Sequence, residues 1–545
     1  MTPVAPASSR WKLRLEATTS PSGLFVSAIL VLSLLPVTSI IHDPDFWWHL
    51  RAGQLILAHG GLLGTDPFTF TVASHQWTMH EWLTEVMYAL MNNAGGFGLI
   101  LLVLSVVTWL GLLCVALRAQ LRNANRLALG LGILLAAVAG YPIWGPRVQM
   151  VTFCLTTLTL LMVERHLVRG GRAIWLLVPL FLLWSNLHSG FIIGLAFIAL
   201  VIVAELAGRW LRFIDNAPPS RLKPLALVLL ACTAVSMVNP NGPAILFYAF
   251  ATQGSGAQQA LILEWHSPSF QDWVVIPFGV MLVSLIALVT VNRKLRARDA
   301  ALMLAATALS LQSVRHIAIF IAAVTPVWID QLAILVRSGR LRRGGRAAPR
   351  VARAAGPSFT FKVAVFGALM SVLMVVYASL RLIPAMRVQP TNLVYAQEYP
   401  VCAARWLAQA PQPLKIFNQY GEGGYLTYAL SGTGDKLYIF GDAALMGDQM
   451  LYTYAAITSL QPSWDATIRG SGADIVLFDT GTPLANAMSA STRWVKVYED
   501  PLSIAFVPSD RLSQVKLAPV PTSYPAGDAC GEVRSSSLDT GAQNQ

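Results

Sequence analysis

Apolar runs of roughly 15 to 22 residues recur along this chain, each long enough to cross a hydrocarbon layer about 30 Å thick as a helix. They fall at 22–41, 97–116, 127–144, 148–164, 173–187, 190–208, 224–238, 274–291, 300–314, 317–336 and 361–383. A chain with about eleven such runs is expected to be an α-helical polytopic membrane protein. Its 55% hydrophobic and 12% charged residues and its mean hydropathy of +0.56 agree. The net charge of +12 does not point to nucleic acid, because the basic residues lie between apolar runs instead of on a polar domain.

Those basic residues report topology. Arg10, Lys12 and Arg14 precede the first run, and Arg118, Arg122 and Arg126 follow the second. Arg165, Arg169 and Arg172 follow the fourth; Arg209, Arg212, Arg221 and Lys223 the sixth; Arg293, Lys294, Arg296 and Arg298 the eighth; a dense run from Arg337 to Arg353 the tenth. Clusters in every second connection place the N-terminus in the cytoplasm, and an odd number of spans leaves everything after the last one outside. The expected division is a cytoplasmic lead (1–21), a transmembrane domain (22–383) with long external loops at 42–96 and 239–273, an external α/β domain (384–518) and a disordered tail (519–545). Cys402 and Cys530 both fall in the external part, which makes them a candidate disulfide.

The loop at 42–96 opens with His-Asp-Pro-Asp-Phe-Trp-Trp-His-Leu, residues 42–50. Asp43 is a good helix cap, Pro44 suits the first helical position, and the pattern from Asp45 to His59 is amphipathic. Trp47, Trp48, Trp77 and Trp82 suit a helix lying on the membrane. Asp45 and His49, four apart, share a face and could act as base or share a divalent metal (Mg or Mn). A second amphipathic segment, 80–93, brings Glu81 and Glu85 to one face, with Glu81 the alternative acid. Three short spans end on the outer side in polar groups: Ser185, Asn186 and His188; Asn239 and Asn241; Arg315 and His316. With Glu264 and His266 of the second long loop they suggest an outward cavity. In the last part, candidate strands are 415–418, 436–440, 474–478, 494–498 and 503–507, with helices near Ala403, Gly423, Met450 and Leu484. The Tyr-Gly-Glu-Gly-Gly-Tyr stretch, 420–425, reads as a turn sooner than as a phosphate loop, since it fits neither a P-loop nor a dinucleotide fingerprint.

An outer loop that opens with an acidic pair directly after the first span, followed by further spans and an external domain, resembles the C-type (GT-C) membrane glycosyltransferases. Asp-Pro-Asp-Phe-Trp-Trp-His-Leu and Tyr-Gly-Glu-Gly-Gly-Tyr-Leu look like a bacterial branch of unassigned substrate, although the two acids are often adjacent there and are one residue apart here. The resemblance implies a GT-C-like fold in the bacterial inner membrane, with the C-terminal domain in the periplasm. It implies a polyprenyl-phosphate-linked sugar as donor and a glycan, lipid or protein as acceptor. Asp43 or Asp45 would be the base, and Arg315, with His316 and Arg147, would meet the donor phosphate; His49, Asn186, His188, Asn239, Glu264 and His266 would line the cavity. Two other classes fit an outward cavity of this kind: a transporter or flippase for lipid-linked glycans, and a non-catalytic envelope assembly protein.

Overall fold

The computed structural model describes residues 41–122, 124–211, 213, 216–343, 391–521 and 527–531, with scattered positions at 26–30, 369–389 and 525. The expected first and last spans, the cytoplasmic lead and most of the tail lie outside the described residues. In chain order the principal helices are α1 (Asp45–His59), α2 (Trp82–Gln120), α3 (Arg126–Ala139), α4 (Gln149–Arg169), α5 (Leu177–Leu187), α6 (Phe191–Trp210), α7 (Pro219–Ser236), α8 (Ile245–Gln253), α9 (Ile276–Asn292), α10 (Ala297–Gln312) and α11 (Ile317–Arg343). They continue with α12 (Val401–Leu407), α13 (Gly423–Ala429), α14 (Asp448–Thr458), α15 (Trp464–Gly470) and α16 (Pro483–Ser489). Among the described residues four helices are long and apolar enough to cross a membrane, those at Trp82–Gln120, Gln149–Arg169, Phe191–Trp210 and Val314–Ser338, and shorter apolar helices accompany them at Arg126–Ala139, Arg172–Leu187 and Ile276–Asn292.

By contact the chain forms two units that interleave in sequence: 1–40, 101–246 and 264–386 make one, and 41–100, 247–263 and 387–545 the other. The first is all helix. At one end of it, α2, α4, α6 and α10 are joined by a buried ionic network. Arg122 donates to Asp299 Oδ1 and Oδ2 (2.7 and 3.0 Å) and to Glu164 Oε2 (2.6 Å). Arg298 donates to Glu205 Oε1 (2.5 Å) and Glu164 Oε1 (3.2 Å), while Arg118 donates to the carbonyls of Ala322 and Ala323. Buried charges persist only when paired in this way, so Arg118, Arg122 and Arg298 are part of the helix packing.

The second unit is built on a mixed sheet of order β2-β1-β3-β5-β4, from β1 (Lys415–Asn418), β2 (Lys436–Leu437), β3 (Ile475–Asp479), β4 (Trp494–Glu499) and β5 (Ser503–Pro508). β2, β1 and β3 are parallel; β5 runs antiparallel to both β3 and β4. The segment between α1 and α2 extends the β2 edge: Leu437 N–H donates to Phe68 O (3.0 Å) and Phe70 N–H to Leu437 O (3.1 Å). An otherwise open sheet edge is thereby covered. A disulfide joins Cys402 in α12 to Cys530.

Candidate functional site

α1 starts where the sequence suggests, but its cap differs in detail. Asp43 Oδ1 accepts from the backbone N–H of Asp45 (3.2 Å) and Asp43 O from that of Phe46 (3.3 Å), so Asp43 holds the turn that precedes the helix. It is buried, with 7% of its surface exposed, whereas Asp45 is half-buried. At the far end Gly60, at φ 70°, adopts the left-handed conformation and returns its N–H to Ile56 O. That conformation favours glycine.

The indoles do not form a membrane-lying face. Trp47 has no exposed surface and sits among Phe46, Phe97, Tyr395, Tyr399, Tyr425 and Tyr428, with ring centroids 5.1 to 5.6 Å away. Trp48 and Trp77 join the apolar core of the sheet unit, and Trp82 packs against it. Large aromatic rings gain more from this enclosure than from an interface. The two sequence stretches singled out for their composition pack on each other here, because Gly423 and Gly424 let α13 approach closely. A Cβ on Gly424 would lie 2.0 Å from Pro44 O, and one on Gly423 would lie 2.5 Å from Ile439 O.

His49 stands between two carboxylates, its Nε2 3.2 Å from Glu81 Oε2 and its Nδ1 3.2 Å from Glu85 Oε1. Glu81 Oε1 in turn lies 3.0 Å from His80 Nε2, and the His80 ring stacks on Tyr248 of α8 at 4.2 Å. Burial acts to lower the His80 imidazole, but the Glu81 carboxylate, with Asp442 nearby, raises it above its ordinary value. Asp442 accepts from Trp77 Nε1 (2.8 Å) and from Leu445 N–H (3.1 Å). Asp45 Oδ1 accepts from Trp48 Nε1 (3.1 Å). Among the described residues no set of three or more His, Cys, Asp or Glu side chains is arranged to hold a metal ion. No step below passes through a metal.

In the all-helical unit Arg147, between α3 and α4, pairs with Glu264, and the Arg315 guanidinium lies over the Trp265 ring, 4.7 Å from its centroid. Burial would raise the Glu264 carboxyl; the guanidiniums of Arg147 and Arg315 outweigh it and hold the carboxyl below its usual range. His316 meets Trp265 edge to face at 6.4 Å, and its Nδ1 lies 3.2 Å from Leu309 O. His266 is exposed, and its carbonyl accepts from Val314 N–H (3.0 Å). The remaining predicted cavity residues form a polar knot between helix ends. Asn239 donates to Ser185 O (2.8 Å) and Asn186 Oδ1 (3.3 Å), and Asn186 to Val238 O (3.0 Å). His188 Nδ1 accepts from Gly190 N–H (2.8 Å) and lies 3.0 Å from Thr152 Oγ1.

The sequence reading did not single out Trp48, Gly441, Asp442, Tyr248 or Trp265 as site residues. Trp48 follows Asp45 by three positions on a helix, a spacing at which side chains meet. Gly441 and Tyr248 carry no such local signal.

The fold is that of the C-type membrane glycosyltransferases. Two structures of the oligosaccharyltransferase of Archaeoglobus fulgidus show it. One, AglB in complex with an inhibitory peptide and a dolichol-phosphate, superposes with a TM-score of 0.56 at 12% identity over 87% of this chain and 73% of its own. The other, tethered to an acceptor peptide containing the NVT sequon, gives 0.55 at 12% identity over 92% and 74%. ArnT from Cupriavidus metallidurans bound to undecaprenyl phosphate aligns over 92% of this chain and 98% of its own at 16% identity, with a TM-score of 0.44. No family model matches the sequence, and no curated protein does.

Proposed function

We propose that this chain is a membrane glycosyltransferase that moves a sugar from a polyprenyl-phosphate-linked donor to an acceptor hydroxyl on the periplasmic face of the inner membrane. The observation that carries the reading is the difference between the two acids of the first loop. Asp43 is sealed and spends an oxygen on the Asp45 backbone N–H, while Asp45, at the start of α1, is only half-buried. Asp43 thus has a structural duty, and Asp45 is the base. It takes the proton of the acceptor hydroxyl as that oxygen attacks the anomeric carbon, and the bond from that carbon to the phosphate oxygen breaks. The leaving polyprenyl phosphate gains negative charge, which Arg315 and Arg147 stabilise. Two guanidiniums around the single carboxylate of Glu264 leave a net positive charge suited to that anion. In this reading the protein has about eleven spans, a cytoplasmic N-terminus and a periplasmic sheet unit.

The test uses membranes carrying the full-length chain and radiolabelled polyprenyl-phosphate sugars as donors. Asp45→Asn is expected to lower sugar transfer by about 10²-fold or more, and Arg315→Ala to weaken donor use, while Asp43→Asn acts first on folding yield. Sugar transfer unchanged in Asp45→Asn would overturn the assignment of the base. Movement of the intact lipid-linked sugar across the membrane without bond formation would establish a flippase instead.

A further inference from the structure

We infer that Trp48 and Gly441 are positioning residues that fix the plane of the Asp45 carboxylate: the indole N–H holds one oxygen, and the bare glycine backbone leaves room for it. The inference rests on Asp45 being the base. Three observations support it. Trp48 Nε1 donates to Asp45 Oδ1 at 3.1 Å, and an indole N–H is a donor only, so the direction of this bond is unambiguous. The indole itself cannot swing. It is 4% exposed, lies 3.5 Å from the His49 ring, and meets Phe440 and Trp77 at 5.6 and 6.1 Å. His49 in turn is set between Glu81 and Glu85, so the neighbour on which the indole rests is itself anchored.

The third observation is steric. A Cβ on residue 441 would fall 1.7 Å from Asp45 Oδ1 and 3.1 Å from Trp48 Nε1, so no side chain can stand there while the carboxylate keeps its place. The Gly441 backbone is held against drift, since its carbonyl accepts from the Tyr420 hydroxyl (3.3 Å). Gly441 has no positive φ, so the need for glycine here is room for the carboxylate and not backbone conformation. A general base must meet the proton it removes at hydrogen-bond distance. A carboxylate free to rotate at a helix start would spend most of its time elsewhere. The indole N–H holds it in one orientation, and the bare backbone of Gly441 leaves that orientation free of a clash.

The experiment compares Trp48→Phe, Gly441→Ala and Asp45→Asn in the full chain, with a polyprenyl-phosphate sugar that the wild type turns over. Trp48→Phe keeps a ring against Phe440 and Trp77 but removes the N–H. It should lower kcat about 10- to 100-fold with the donor KM unchanged, and Gly441→Ala should act in the same direction. An independent readout is the Trp48 indole 15N–H resonance, identified by its loss in Trp48→Phe. It should shift upfield and exchange faster in Asp45→Ala. Wild-type kcat in Trp48→Phe, together with an inactive Asp45→Asn, would overturn the positioning role and leave the base assignment standing. An indole resonance indifferent to Asp45→Ala would overturn the hydrogen bond itself. Full activity in Asp45→Asn would overturn the base assignment and the inference with it.

Discussion

Gly424 lies against the carbonyl oxygen of Pro44, so close that a Cβ at 424 would come within 2.0 Å of it. The Tyr-Gly-Glu-Gly-Gly-Tyr stretch is therefore a seat for the start of α1, and its Gly424 is matched to a neighbour more than 370 residues earlier in the chain. Gly424→Ala should lower the thermal midpoint of the purified protein, at a cost of about 1–3 kcal/mol for overpacking. Gly421→Ala, three positions away with open space around its Cβ, should leave the midpoint within a degree or two of wild type. Equal effects of the two substitutions in a detergent melting series would refute the seat.

The Arg122–Glu164–Asp299 cluster leads to a second expectation. All three side chains are almost fully buried, with 1%, 2% and 3% exposed. Arg122→Met takes from Asp299 both of its hydrogen bonds to that guanidinium and from Glu164 its shortest one, and should cost about 3–5 kcal/mol, read as a fall in the folded fraction by fluorescence-detected gel filtration. Replacing Arg122, Glu164 and Asp299 together with apolar residues of similar volume should recover most of that loss, because the two carboxylates then disappear while Arg298 keeps Glu205 and Arg118 keeps the carbonyls of Ala322 and Ala323. A triple variant no better folded than Arg122→Met would show that the cluster does more than pair its own charges.

These two regions also mark what the sequence can disclose. The limits of α1 follow from Asp43–Pro44 at one end and Gly60 at the other, and the alternation of apolar residues places all five strands within a few residues of where they form. Such signals are local, so a linear reading finds them. The covering of the β2 edge by residues 68–70 and the contact of Gly441 with Asp45 depend on parts far apart in the chain, and nothing near Thr69 or Gly441 announces them. Arg118, Arg122 and Arg298 illustrate the same limit. Their basic character is visible, but the buried partners Glu164, Glu205 and Asp299 sit on other helices, and only tertiary packing brings them together. Within the candidate site, Asp45 and Glu81 were legible as acids, whereas the indole that orients one and the imidazole that joins the other to Glu85 emerge only once α1 and α2 are packed.

His80 gives a pH expectation with a definite sign. Its folded-state value is raised by Glu81, so the pairing contributes stability that is fully present below the unfolded value of about 6.5 and is lost as pH rises through the higher folded value. The wild type should therefore exceed His80→Gln in thermal midpoint by the most near pH 5.5, with the gap closing toward pH 9. A gap that widens with pH would contradict the assignment of Glu81 as the dominant partner of His80.

The Cys402–Cys530 disulfide closes a loop of 128 residues and secures the turn in which Asp528 is held by Arg405 at 2.8 and 3.0 Å. Loop-closure entropy assigns a bridge of this span about 5 kcal/mol at most, so Cys402→Ser should lower the thermal midpoint, and the double variant with Cys530→Ser should lower it no further. The bond also bears on which side of the membrane the sheet unit occupies, because such bridges persist in an oxidising compartment and not in the bacterial cytoplasm. Cells denatured in the presence of a membrane-permeant maleimide, with and without prior reduction, provide the check. Protection of Cys402 and Cys530 until a reductant is added agrees with a periplasmic sheet unit. Labelling without reduction, in a chain that is otherwise folded, would place that unit on the cytoplasmic side and reverse the proposed orientation.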